Sequence, residues 1–218
     1  MERDIVNSTP RFALPGSWGR VDLSSDASMR RSIRKLTETV TGRRDELATT
    51  RAEIRARFLQ AAELAREGGA TEMYLGLELM AGIPLPAWLT VFLADFDSVD
   101  FRALGLEDLG RLLATSAGEA PEGGESHVSA LSARTPIQVV RHSFRRTAHV
   151  KEGNVERDFD IIEADYWIAA ANPSRVAMLT FSTALAEYEE EMLELFDAVV
   201  QTIRWPAPDA EEVALVEA

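Results

Sequence analysis

The chain of 218 residues contains no cysteine. Disulfide bridges, thiolate nucleophiles and cysteine-ligated zinc are therefore excluded together. It has no apolar run approaching the ~18 residues of a membrane span, and its first residues lack a signal-peptide stretch. Membrane insertion is not expected, and a cytoplasmic place is. Positive charge is scarce: 23 Lys and Arg stand against 36 Asp and Glu, a formal net charge of −13. A field of that sign repels a phosphate backbone, so nucleic acid is not an expected partner.

The motifs of common catalysts are missing as well. There is no Gly-x-Ser-x-Gly elbow, phosphate-binding loop or dinucleotide fingerprint. The three histidines, His127, His142 and His149, form neither His-x3-His nor His-Glu-x2-His, so no shared zinc site is expected. Asp95, Asp97 and Asp100 cluster after a strand-like run, but a calcium loop starting at Asp95 would need glycine and glutamate where Asp100 and Leu106 stand. These acids read as solvated loop residues, and no metal or other cofactor is expected. Glu163 and Asp165 share a strand face, the arrangement a carboxylate pair would need, yet a cross-strand charge pair with Arg145 is the simpler account.

What the chain does have is enough apolar content, 46%, to bury a core of its own. One domain is expected over residues 11–205, with a flexible segment at 1–10 and an acidic flexible tail at 206–218. Residues 11–23 hold two short apolar runs around Pro15-Gly16 and suit a hairpin or bent strand. Ile33, Val40, Leu47, Ile54 and Ala61 recur at helical spacing, which predicts helix over 28–66, either one rod or two helices broken near Thr41-Gly42, ended by Gly68-Gly69. Strands are expected at 73–80 and 88–93, joined by a Gly- and Pro-containing turn. A short helix is expected at 106–114 and a surface loop at 118–124. Four strands follow over 127–182, and a helix with an apolar side of Leu185, Tyr188, Met192, Phe196, Val199, Val200 and Ile203 runs up to Trp205-Pro206. The fold class is α+β, an antiparallel sheet sandwiched by helices.

The register of one hairpin can be argued. In residues 137–150, Val140, His142 and Phe144 share one face, and Arg141, Ser143, Arg145 and His149 the other. A three-residue loop, 153–155, sets Val140, His142 and Phe144 opposite Ile168, Tyr166 and Ala164. It also sets Arg145 opposite Glu163 and Arg141 opposite Trp167.

The order of these elements, with Leu14-Pro15 and Trp18 at the start and Leu179-Thr-Phe-Ser182 feeding the helix that ends Ile203-Arg-Trp205, resembles the PsbP/DcrB-like superfamily over residues 12–205. The resemblance implies helices on both sides of an antiparallel sheet, in accessory, assembly or binding proteins. Several relatives are exported lipoproteins. This sequence shows no N-terminal apolar segment and no lipidated cysteine, which points to an intracellular branch such as the Eag-type chaperones, dimers that shield hydrophobic helices of secreted effectors. No residue matches a binding motif of that branch.

The expected function is that of a non-catalytic accessory or chaperone-like protein, binding a protein partner through a sheet face or dimer groove, with a homodimer allowed for. The residues expected at the partner surface are Arg141, Arg145, Glu163, Trp167 and Met178. Two alternatives stand beside it: a small-molecule binder or hydrolase using Glu163, Asp165 or His149, and a structural subunit of a larger assembly. The basic run Arg30, Arg31, Arg34 and Lys35, continued by Arg43, Arg44, Arg51, Arg55 and Arg57, opposes the acidic final helix. Complementation within the fold is the simpler reading of that asymmetry, and recruitment of an acidic partner the other.

Overall fold

The computed structural model describes residues 10–42, 45–95, 126–132, 138–152, 155–169 and 175–204. The expected helix at 106–114, the loop at 118–124, Asp97, Asp100 and Trp205 lie outside them. Strand β1 (Ser17–Asp22) leads into helix α1 (Asp26–Thr41), whose first turn is capped by the Ser25 hydroxyl accepting from the Ser28 amide at 3.2 Å. Met29, Ile33 and Leu36 of α1 are buried along one stripe. The helix stops at Gly42, whose φ of 70° suits a residue without a side chain and whose amide donates to the Glu38 carbonyl. The expected long helix is thus two: after a short turn, α2 (Ala48–Glu67) runs to Gly68-Gly69.

Strands β2 (Ala70–Met80), β3 (Ile83–Pro84), β4 (Ala87–Asp95), β5 (Ser126–Ser132), β6 (Gln138–Glu152), β7 (Val155–Ala169) and β8 (Arg175–Thr183) complete an antiparallel sheet, followed by helix α3 (Glu189–Gln201). The order is β1-β2-β4-β8-β7-β6-β5, with β3 paired to β2. The hairpin alternative for residues 11–23 does not form: β1 pairs with β2, and Arg11 exchanges backbone hydrogen bonds with Arg204, tying this segment to the end of α3.

Strand alternation sends side chains to two faces, and each receives helices. Helices α1 and α2 pack on β1, β2 and β4, burying Val21, Met73 and Leu75, with Phe58 edge-on to Trp88 at 5.5 Å. Gly19 lets α1 approach: a Cβ there would sit 2.0 Å from a Leu36 methyl. On the other face α3 lays Met192, Phe196, Val199, Val200 and Ile203 on Leu89, Ala164, Tyr166, Leu179 and Phe181. Each such large apolar side chain contributes about 1.5–3 kcal/mol by leaving water, which makes this face the main core. The molecule is therefore an α+β sandwich with the sheet as its middle layer.

Candidate functional site

Strands β6 and β7 are 15 residues each, whereas β5 has 7 and β8 has 9. Pairing with β5 covers β6 only from Gln138 to Phe144, and pairing with β8 covers β7 only from Ile162 to Ala169. Among the described residues, 145–152 and 155–161 therefore pair with each other alone. They form a two-stranded ribbon projecting about 20 Å past the sheet, at roughly 3.4 Å per residue. The last described pair of the ribbon is Glu152↔Val155. In an antiparallel strand backbone groups alternate in direction, so those of Asp158 and Asp160 point to the same side of β7.

One face of the ribbon is a charge ladder. Thr147 donates to Asp160 at 2.9 Å, His149 meets Asp158 at 2.6 Å, and Arg145 lies 3.9 Å from Asp160. The other face carries Ala148 opposite Phe159 and Arg146 opposite Ile161, with Phe159 39% exposed. An isolated ribbon is marginal in water, and charges along it discourage indiscriminate edge pairing.

At the foot of the ribbon lies an open cleft of about 470 Å³, lined by Arg145, Phe159, Asp160 and residues 184–188, which include Glu187 and Tyr188. The chain leaves β8 at Thr183, where its partner is Ile162, and turns through Ala186–Tyr188 into α3, so the turn forms the cleft's second wall. Arg145 spans the cleft, donating to Glu189 at 2.8 Å and to the Ala186 carbonyl at 2.9 Å.

A second polar group sits on the sheet face opposite α3. His142 is buried directly across from Asp165, and Asp165 accepts from the Thr180 hydroxyl at 2.7 Å. Beside them Arg146 donates to Glu163 at 2.6 Å. Burial pushes the Asp165 carboxyl above its ordinary value, outweighing the Thr180 hydrogen bond and the neighbouring His142, which act downward. The native state then holds its proton over a pH range in which the unfolded chain, with an aspartate near ~3.9, has released it. Stability consequently falls as pH rises from that unfolded value through the raised native one. Asp165→Asn keeps an acceptor for Thr180 and cannot ionise. It should raise the unfolding free energy at pH 7 relative to its effect at pH 3, measured by urea titration; equal effects at both pH values would contradict this.

The five residues expected at one partner surface are divided by the structure. Arg141 and Arg145 face α3: Arg141 donates to Asp197 at 2.7 Å, and Tyr166 donates to the other carboxylate oxygen at 2.6 Å. Glu163, Trp167 and Met178 lie on the opposite face, where Trp167 pairs with Met178 and its ring N–H is buried with no hydrogen-bond partner among the described residues. The expected register is corrected by one residue. Val140, His142 and Phe144 face Trp167, Asp165 and Glu163, while Arg141 and Arg145 face Tyr166 and Ile162. Val155 belongs to the strand and not to the loop, and that single residue turns every β7 side chain to the other face. The expected Arg145–Glu163 ion pair and Arg141–Trp167 contact are accordingly absent from the register; Arg146 pairs with Glu163 instead.

Phe159, Asp160, Glu187 and Tyr188 escaped the sequence reading as a site. The signal was the unequal spacing of turns, which gives the central hairpin longer arms than its neighbours. Among the described residues no cluster of three or more His, Asp and Glu could hold a metal, and no helix is long and apolar enough to cross a membrane.

No family model and no curated protein matches the chain. Among solved structures it is similar to the solution structure of cyanobacterial PsbP (CyanoP) from Synechocystis sp. PCC 6803, at 13% identity, over 93% of this chain and 96% of that one, with a TM-score of 0.42. A likeness of that degree carries no argument about family or activity.

Proposed function

We propose that this chain is a non-catalytic, chaperone-like accessory protein of the cytoplasm that holds a protein partner on the β6–β7 ribbon. The observation that carries the reading is that β7 before Ile162 has, among the described residues, no strand beside it other than β6, next to a cleft with exposed Phe159 and Tyr188. A sheet edge gives affinity through main-chain hydrogen bonds, and a neighbouring pocket gives selectivity. The ribbon is favoured over the surface expected from sequence because Arg141 and Arg145 lie on the face that α3 covers, donating to Asp197 and Glu189. Of the hydrolase alternative's three groups, Glu163 and Asp165 share one face of β7, tied to Arg146 and to Thr180, while His149 stands on the other face of the ribbon with a 77% exposed side chain.

The ribbon can be removed without disturbing the sheet. Replacing residues 147–160 by Asn-Gly joins Arg146 to Ile161, a pair of the same hydrogen-bonding type as Glu152↔Val155, which an Asn-Gly turn closes well. A protein captured from native cells by the full chain, and retained at fixed stoichiometry through size exclusion, should be lost by this variant while its thermal midpoint stays within about 5 °C. Equal capture by a folded ribbon-less variant would refute the reading.

A further inference from the structure

The chain contains six methionines and no cysteine, so two-electron oxidants meet thioether sulfur and no thiol. Met1 lies outside the described residues. Met29, Met73 and Met192 are buried in the two cores, and Met178 is half-buried beside Trp167. Met80 is 61% exposed. It ends β2 at the turn into β3, where Gly82 has a φ of 79° and a Cβ built on it would meet nothing within 4 Å. Met80, Ala81, Gly82, Ile83 and Pro84 are all exposed, an unbroken apolar run that a folded surface seldom carries without a use. Pro84 has no amide to donate from β3, so the tip presents apolar side-chain surface more than backbone.

We propose that Met80 is a site of reversible oxidation by hydroperoxides, which turns this apolar tip polar. A lone pair of the Met80 sulfur attacks one oxygen of hydrogen peroxide, and an S–O bond forms as the O–O bond breaks. The second oxygen leaves as hydroxide and takes the proton of the first to become water. The sulfur gives up two electrons and the peroxide accepts them. The product is a sulfoxide, a polar group in place of a thioether, and thiol-dependent methionine sulfoxide reductases return it to the starting state. Oxidant reaches an exposed sulfur directly, whereas a core methionine reacts only when its surroundings open. Met80 belongs to neither core, so the sulfoxide leaves the fold intact and the change is one of surface chemistry.

The test exposes the full chain to dilute hydrogen peroxide and follows each methionine by mass spectrometry of proteolytic peptides. Met80 is expected to oxidise at least about tenfold faster than Met29, Met73 and Met192, and faster than Met178. In urea, where the fold is lost, these rates should converge. Chain treated until Met80 is fully converted should elute earlier from a hydrophobic-interaction column, with its thermal midpoint moved by less than about 2 °C. Met80→Gln should reproduce that elution without oxidant, and Met80→Leu should lose the greater part of the shift under the same treatment. Reductases acting on both sulfoxide epimers should restore the original elution. A rate at Met80 no higher than at Met178 or a core methionine, the same preference for Met80 in urea, or unchanged elution at full conversion would each overturn the inference. So would a Met80→Leu chain that shifts as far as the natural one, a sulfoxide the reductases leave in place, or a larger fall in the midpoint with Met80 alone oxidised.

Discussion

Phe181→Ala is expected to lower the free energy of unfolding by about 3–5 kcal/mol. Phe181 is fully buried at the centre of the sheet, stacked on Phe196 of α3 at 4.5 Å and edge-on to Tyr166 at 5.5 Å. Truncation removes transfer free energy and leaves a cavity between a sheet and a helix that cannot both close on it. The ring pairs add a smaller loss of their own. Urea titration followed by circular dichroism measures the effect, and a change below about 1 kcal/mol, typical of a surface site, would show that α3 is not packed as described.

Asp197→Ala should cost about 2–4 kcal/mol, set below the range for fully buried pairs because Arg141 and Asp197 keep 18% and 20% of their side chains exposed. One carboxylate here satisfies two sheet residues, accepting from Arg141 and from the Tyr166 hydroxyl. Its removal strands a cation and a buried phenol together, so the loss exceeds that of one ordinary hydrogen bond. Burial and the adjacent carboxylate raise the Tyr166 phenol's affinity for its proton, which keeps it a donor. Combining Asp197→Ala with Arg141→Met should recover part of the loss, since the stranded charge goes with its partner. A double variant as unstable as the sum of the single ones would contradict that coupling.

Much of this architecture could be read from residue patterns because it is local. Met29, Ile33 and Leu36 mark α1 by spacing alone, and Gly42 marks its end. The β2 and β4 strands follow from apolar runs around a turn rich in glycine and proline. The face of β7 was not legible, because Arg141 and Arg145 find their acids on α3, 56 and 44 positions along the chain, and not on the neighbouring strand. Alternation within a hairpin cannot detect a helix that arrives later. The ribbon was missed for a related reason: Glu156, Arg157 and Asp158 have the composition of a loop, and only pairing with residues 149–151 makes them a strand. The polar group around Asp165 was half visible, its residues named from the sequence but its cross-strand partner misassigned.

The proposed function turns on β7 before Ile162, where among the described residues β6 is the one strand beside it. Residue-level hydrogen exchange on the isolated full chain tests it, since an amide unpaired on an exposed edge exchanges far faster than one in a doubly paired strand. Asp158 and Asp160 are expected to exchange orders of magnitude faster than the amides of residues 162–168. Uniformly slow exchange along the whole of β7 would contradict the account, because the edge proposed to receive a partner would already be occupied.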